Sequence, residues 1–307
     1  MARSHLKRYA WISIAAALCT IALKTTAYVV TGSVALLSDA LESVVNLLAA
    51  VVALIALSVA ARPADEEHTY GHYKAEYFSS GFEGALIVVA AVSIGVTAVL
   101  RLLNPRPLTD IGIGTLIAGG ATLVNLAVAR VLARVGREQG SITLEADARH
   151  LMADVLTSAG AIVGVIAVKG TGMDWIDPVV GLLIATHILW AGLGLVRRSM
   201  LGLMDTALPE PAQRVIRDIL DAHAKGGVQF HALRSRQAGA RQFISFHVLV
   251  PGDWTVQQGH NLLEQIEEQI HAELPASTIF THLEPIEDPA SFEDTQLERR
   301  RTPRPRA

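Results

Sequence analysis

Two pairs of polar residues interrupt long apolar stretches of the sequence and have the residue types of a metal site. Glu42 and Asn46 lie in one such stretch, and His150 and Asp154 lie in another. Each pair has i, i+4 spacing, which puts both side chains on one face of a helix. Together they present three oxygens and one imidazole nitrogen, a tetrahedral set for a divalent first-row metal ion.

Polar groups of this kind are costly inside a membrane. An acidic side chain near the bilayer centre costs ~2.5 to 3.5 kcal/mol, so it is expected to face a protein or water-filled interior. The alternative interpretation is a set of interhelical hydrogen bonds that only holds a helix bundle together. Asp39, one turn before Glu42, would either guide ions at an outer mouth or pair with Lys24, and the pairing is the favoured interpretation.

A second candidate site lies in the most polar connection between the apolar stretches. Asp65 is followed by His68 and His72, a carboxylate and two imidazoles at tight-loop or helical spacing. This combination suits a metal site with access to water. The alternative is a charged loop with two exposed histidines.

The last third of the chain is rich in histidine. The candidate ligands are spread over four predicted elements, so they can converge only through tertiary folding, and their spacing alone is weak evidence. They are His231, His247, His260, His282 and Glu284.

The elements that must position these residues follow from composition. The chain has 307 residues, 51% hydrophobic and 18% charged, with a mean hydropathy of +0.37, which indicates an α-helical membrane protein. Six apolar stretches are long enough for transmembrane helices. They are Trp11–Val30, Val34–Ala61, Phe82–Leu103, Ile111–Val131, Leu144–Lys169 and Pro178–Val196.

Charge on the connections predicts the orientation of the spans. Eleven positively charged residues flank them on the side of the N-terminus, against three on the other side. Both termini are therefore predicted to be cytoplasmic, in a multi-pass protein of the inner (plasma) membrane. The first group is Arg3, Lys7, Arg8, Arg62, Lys74, Arg130, Arg134, Arg137, Arg149, Arg197 and Arg198, and the second is Arg101, Arg106 and Lys169.

A small soluble domain is predicted after the spans. Its pattern of helix, strand, strand, helix, strand indicates an α+β (αββαβ) fold. The predicted domains are a transmembrane domain over 1–206, a cytoplasmic α+β domain over 207–287 and a tail over 288–307. The arginine-rich tail is either a solvated disordered end or a contact to anionic lipid.

Several functional classes are disfavoured. The net charge of −3 provides no field to attract nucleic acid. The single cysteine forms neither an intramolecular disulfide nor a cysteine-based metal cluster. The sequence has no His-Glu-x-x-His and no Gly-x-Ser-x-Gly motif, so no enzyme activity is expected.

As a set, these features resemble the cation diffusion facilitator family, in particular its bacterial zinc and iron efflux branch. The resemblance rests on the six spans, the paired ligands, the loop sequence Gly-His-Tyr-Lys-Ala-Glu at 71–76, the segment Met204–Pro209 and the histidine-rich domain. It covers residues 8 to 286 and implies a homodimeric antiporter that exports zinc, iron or manganese in exchange for protons.

The resemblance also implies roles for individual residues. Glu42, Asn46, His150 and Asp154 match the transported-ion site, and Asp65, His68 and His72 match the loop site. His231, His247, His260, His282 and Glu284 match a binuclear cytoplasmic site that helps to hold the dimer, and Lys74 and Asp205 match a salt bridge at the cytoplasmic edge.

The sequence departs from the family pattern in two of the candidate sites. Glu42 and Asn46 stand where the family usually has Asp or His followed by Asp, which gives the site one negative charge fewer. Glu284 stands where close relatives have aspartate. A second hypothesis is therefore a metal sensor or scaffold in the membrane that dimerises on metal without transporting it.

Overall fold

The computed structural model describes residues 3–31, 34–104, 113–173 and 175–292, and it divides into two compact units after Leu203. The side chains of Asp39 and Glu42 lie outside the described part of the chain, so the predictions made for them stay predictions. The first unit contains six long helices: α1 (Lys7–Thr31), α2 (Val34–Ala60), α3 (Ala75–Leu103), α4 (Ile113–Gln139), α5 (Ile142–Thr171) and α6 (Ile176–Leu203).

Among the residues that the structure describes, four of these helices contain segments that are long and apolar enough to cross a membrane. The segments are Lys7–Thr26, Ser43–Ala60, Ala75–Leu103 and Pro178–Leu203, in α1, α2, α3 and α6. In α5, Glu145, Asp147, His150 and Asp154 lower the mean hydropathy. Membrane crossing by α4 and α5 stays a prediction.

Helix α5 lies between two apolar clusters of the bundle. One side contributes Leu144, Ala148 and Leu151 to a cluster with α1, α2 and α4. The other side contributes Ile142 and Ala146 to a cluster with α3 and α6. Side chains on α5 can therefore meet groups from both halves of the bundle.

The start of α5 is fixed by a buried carboxylate. Glu76, in the first turn of α3, is fully buried and accepts a hydrogen bond of 2.5 Å from the Ser141 hydroxyl. The Ser141 hydroxyl lies 3.5 Å from the backbone N–H of Leu144, as a helix N-cap does. A negative charge at a helix N-terminus is favourable, so this contact holds α5 against α3.

The second unit has the predicted order of elements: α7 (Glu210–His223), β1 (Gln229–Ala238), β2 (Arg241–Val250), α8 (Val256–Glu273) and β3 (Ser277–Pro285). The strands form one sheet in the order β1-β2-β3, with β1 antiparallel and β3 parallel to the central β2. The parallel pair requires a crossover, which α8 provides.

The core of this unit lies on one face of the sheet. Alternate residues of β2, from Ile244 to Val250, pack with Ile216 of α7 and with Ile266 and Ile270 of α8. Because side chains alternate across a strand, His247 points to the other face. The predicted αββαβ fold of this unit is confirmed.

Candidate metal-binding sites

In the helix bundle, Asn46 joins the two predicted ligands of α5. Its amide nitrogen donates a short hydrogen bond to Oδ2 of Asp154. Its Oδ1 lies 2.8 Å from Nε2 of His150. An amide that donates through nitrogen can only accept through oxygen, which assigns the proton of this contact to Nε2 of the imidazole.

This group is shielded from solvent by the bundle. Asn46 is 4% exposed and His150 is 7% exposed, and Asp154 is partly buried. Three of the four predicted ligands thus meet between α2 and α5, and they contact one another directly. The arrangement fits both the metal site and the interhelical hydrogen bonds predicted as its alternative.

Two further carboxylates lie buried near this group, and the sequence interpretation missed them. Asp147 is one turn before His150 on α5, and Glu83 lies on α3; they are 2% and 0% exposed. The two helices that carry these carboxylates pack against each other. Both fall inside predicted spans, so a search for every acidic residue in those spans would have found them.

The loop residues come together as their spacing predicts. One carboxylate oxygen of Asp65 lies 3.3 Å from Nδ1 of His68, and the other lies 3.3 Å from Nε2 of His72. Gly71 turns the chain between the histidines with φ +82°, a conformation that other residues rarely adopt. The ligand atoms of the three side chains all lie within 4.8 Å of one another, which fits a metal site.

A backbone hydrogen bond favours the charged form of Asp65. The backbone N–H of His68 donates to Oδ1 of Asp65 at 2.7 Å, and this hydrogen bond lowers the pKa of the carboxyl below its ordinary value. Proximity to both imidazoles acts in the same direction. The carboxylate therefore remains charged, as a ligand must be to bind a cation.

In the second unit, sheet register aligns the histidines. His231 of β1 pairs with His247 of β2, and His247 pairs with His282 of β3, so the three side chains form one row across the sheet. The ring centroids are 5.2 Å apart in the first pair and 4.9 Å apart in the second. A β-bulge follows His231 and includes Ala232 at φ 51°, a device that often redirects side chains near functional sites.

Glu284 bridges this row of histidines. Its Oε2 lies 3.0 Å from Nε2 of His231 and 3.2 Å from Nδ1 of His247. Its Oε1 lies 3.6 Å from Nδ1 of His282. The ligand atoms of His231, His247 and Glu284 lie within 4.8 Å of one another. The carboxylate of Glu284 thus faces imidazoles with both of its oxygens, an arrangement that fits a metal site.

Three other predicted residues lie apart from these groups. His260 is on α8, 3.9 Å from Glu264, and its side chain is 58% exposed. Lys74 donates to the backbone carbonyl of Leu203 at 3.3 Å. Asp205 accepts from Arg236 at 3.0 Å. The Lys74–Asp205 salt bridge and the ligand role of His260 stay predictions.

Two family models match the chain, and they divide it much as the structure does. The model of the cation efflux transmembrane domain matches residues 10–204. The model of the cytoplasmic domain of cation efflux proteins matches residues 208–286.

Curated relatives match over nearly their whole length. An uncharacterized transporter of Synechocystis is 53% identical, over 93% of this chain and 92% of the relative. The cation-efflux pump FieF of Yersinia pestis is 33% identical, over 90% of this chain and 93% of the pump. The cation-efflux pump FieF of Cronobacter sakazakii is 30% identical, over 90% and 91%.

The family models and these relatives together account for both units of the structure. The candidate sites contain the nitrogen and oxygen ligands that divalent cations use in proteins. The chain belongs to the cation diffusion facilitator family, whose members are membrane transporters for metal cations rather than enzymes.

Proposed function

We propose that this protein exports a divalent metal cation from the cytoplasm in exchange for protons. The observation that carries the proposal is the hydrogen-bonded group of Asn46, His150 and Asp154 between α2 and α5. A carboxylate and an imidazole buried among helices are costly to keep there, and in membrane proteins such groups mark ion or proton pathways.

Proton coupling follows from the chemistry of these ligands. A metal ion binds the lone pairs of a carboxylate and a neutral imidazole, and protons compete for the same lone pairs. When the site opens to the outside, protons binding at Asp154 and His150 displace the metal ion. When it opens to the cytoplasm, loss of those protons allows the next metal ion to bind.

The ligand types narrow the choice of cation. Asp154 and Asn46 provide oxygens and His150 provides a nitrogen, and the prediction for Glu42 adds a carboxylate. This mixture suits zinc, iron or manganese better than the soft cation Cu(I), which prefers sulfur ligands. Zinc and iron are the proposed substrates.

The loop and the second unit support the same function. The compact groups around Asp65 and around Glu284 have ligand types and spacings that suit a metal ion, and on the predicted orientation both would face the cytoplasm. We assign the protein to the inner membrane with both termini inside. We further propose that it is a homodimer held in part by metal bound to the second unit.

Zinc flux in sealed proteoliposomes under a proton gradient tests the central proposal. The wild-type chain should accumulate zinc against its gradient, and D154N should lower the initial rate by at least about 100-fold, because even the partners of a metal ligand contribute about 10- to 100-fold to affinity. D221N, the same chemical change on the exposed surface of α7, is the matched control. Transport by D154N at the wild-type rate would overturn the site assignment.

One observation favours a second function. Asn46 is joined to His150 and to Asp154 by direct hydrogen bonds, as it would be in a purely structural contact between α2 and α5. The protein would then be a metal sensor or scaffold that dimerises on metal. Metal binding by the second unit without any flux in the same proteoliposomes would select this alternative.

A further inference from the structure

A buried polar contact joins the first turns of α3 and α5, which are both cytoplasmic on the predicted orientation. The Ser141 hydroxyl donates to Oε2 of Glu76 at 2.5 Å, and the backbone N–H of Thr143 lies 3.5 Å from the same oxygen. The Thr143 hydroxyl donates to the backbone carbonyl of Glu76 at 3.3 Å. All three residues are 0% exposed. Because a buried carboxylate is costly without hydrogen bonds, these bonds fix how the two helices meet.

Helix α6 packs closely against the same end of α3. The Ser199 hydroxyl of α6 donates to the backbone carbonyl of Tyr77, the residue after Glu76. A Cβ at Gly202 would lie 2.2 Å from the Tyr77 ring, so only glycine permits this close approach of α6. Tyr77 and Ala146 also belong to one apolar cluster that α3, α5 and α6 share. The three helices are therefore held tightly together at their cytoplasmic ends.

The opposite ends of the same three helices leave a gap. A cavity of about 240 Å³ lies between them, and its lining includes Ser93 and Thr97 of α3, Thr157 of α5 and Gly181 of α6. Ser93 and Thr97 are exposed. Ser93 is about 25 Å beyond Glu76 along α3, at ~1.5 Å per residue. The helices thus pack tightly at one end and separate at the other.

The proposed transport site lies between the tightly packed end and the cavity. On α5, His150 comes about 14 Å after Ser141, at ~1.5 Å per residue. Thr157 lies one turn beyond Asp154, and its hydroxyl donates to the backbone carbonyl of Asp154 at 2.9 Å. Thr157 also lines the cavity. Along α5, the site therefore adjoins the cavity on the outer side, and the contact of Glu76 lies between it and the cytoplasm.

We infer that Glu76 is a positioning residue that closes the transport site to the cytoplasm. Its contact with Ser141 holds α3 against α5 while the site is open to the outside. The contact breaks when the two helices separate and admit a metal ion from the cytoplasm. This inference rests on the proposed function and adds the residue that controls access to the site. The step breaks hydrogen bonds only and requires no proton transfer.

Hydrogen bonds suit a contact that forms and breaks in every transport cycle. When α3 and α5 separate, water enters and replaces the partners that Glu76, Ser141 and Thr143 lose. The net cost of opening is therefore modest, although the closed contact is specific in its geometry.

Cysteine labelling of the full-length protein from each side of the membrane tests this role. Two reporters are made separately in a C19S background. A146C lies between Ser141 and the transport site at a position that is 0% exposed, and T157C lines the cavity. A membrane-impermeant maleimide is added to inverted membrane vesicles for the first reporter and to spheroplasts for the second.

E76Q should change the two reporters in opposite directions. Labelling of A146C from the cytoplasmic side should rise at least about fivefold, and labelling of T157C from the outside should fall by a similar factor. A weakened hydrogen bond to a buried charge changes an equilibrium constant by about that factor or more. A variant that only loosened the packing would raise the labelling of both reporters.

A second variant and a control accompany this measurement. S141A removes the other partner of the same hydrogen bond and should give the same opposite changes, including where E76Q fails to fold. E138Q is the matched control, because Glu138 is an exposed carboxylate at the end of α4 that pairs with Arg134 of its own helix. E138Q should change neither reporter.

Two outcomes would overturn the inference. Unchanged labelling of both reporters in E76Q and S141A would show that the contact does not close the cytoplasmic side. A parallel rise of both reporters would assign Glu76 a purely structural role. Failure of the proposed function is distinguishable, because it would appear as absence of zinc flux in the wild-type chain, whereas the reporters measure access to the site without any flux.

Discussion

The site in the helix bundle and the site in the second unit use similar ligands on very different supports. His231, His247 and Glu284 are fixed by backbone hydrogen bonds between three strands, which set the register of the sheet. Asn46 and His150 are on two different helices, α2 and α5, and a side-chain hydrogen bond joins them. Backbone hydrogen bonds hold the site in the sheet together, and side-chain hydrogen bonds hold the site in the bundle together.

This difference matches two different tasks. A sheet cannot shift its register without breaking every backbone hydrogen bond of the ladder, so its ligands keep one geometry and are suited to a metal ion that stays bound. Packed helices can move by 1 to 2 Å without losing their internal hydrogen bonds, so a site between them is able to bind and release its ion. Three predictions test this comparison.

The largest difference in zinc flux is expected between two single variants, one with alanine at a histidine of the bundle and one with alanine at a histidine of the sheet. H150A removes the only imidazole among the predicted metal ligands of the bundle and should lower zinc flux by at least about 100-fold. H247A is the matched substitution in the sheet and should lower flux by less than about fivefold, because the transported ion does not pass through it. Both rates are measured in proteoliposomes under a proton gradient. A flux loss in H247A as large as in H150A would contradict the division of tasks.

A smaller effect is expected from the bridging carboxylate of the sheet. E284Q keeps the shape of the side chain but removes the charge that faces His231, His247 and His282, so zinc affinity of the second unit should fall by about 10- to 100-fold. Isothermal titration of the full-length protein in detergent measures this change. E273Q, on the exposed end of α8, should leave the affinity unchanged. Equal affinity in wild type and E284Q would remove Glu284 from the site.

The smallest effect is expected in the loop, which shares neither kind of support. The hydrogen bond from the backbone of His68 lowers the pKa of Asp65 in the folded protein. The charged carboxylate therefore contributes fully to folding stability at pH values above 3.8, its ordinary pKa. That contribution is lost only when the pH falls through the lowered pKa of the folded protein. Between pH 5.5 and 7.5 the carboxylate therefore stays charged.

D65N should accordingly weaken metal binding to the loop by one constant factor of about fivefold or less across that range. Competition with a fluorescent chelator at several pH values measures it. A D65N defect that disappears at pH 5.5 would show that Asp65 is already protonated there, against this prediction.

Local spacing was sufficient to predict some of these features and insufficient for others. Asp65, His68 and His72 are close in sequence, so their convergence was predictable from the turn alone. The strands and helices of the second unit follow directly from period-two and period-3.6 patterns. The row of His231, His247 and His282 depends on register between distant strands, which no local pattern specifies.

The pair of Glu83 and Asp147 was missed for a different reason. Neither acid has a histidine or a carboxylate four residues away on its own helix, and the two acids belong to different helices. They lie on α3 and α5, and the sequence does not reveal that these two helices pack against each other. Acidic residues within apolar stretches deserve equal weight whether or not they have a partner at helical spacing.

Helix α5 packs on both sides, and this restricts how the bundle can change shape. Ala146 faces one apolar cluster and Ala148 faces the other, and both are at most 3% exposed. Small side chains let a helix slide over its neighbours, whereas added bulk at either position would wedge it. Leucine at either alanine would therefore have to displace α5 or the helices that pack against it, although every predicted metal ligand would still be in place.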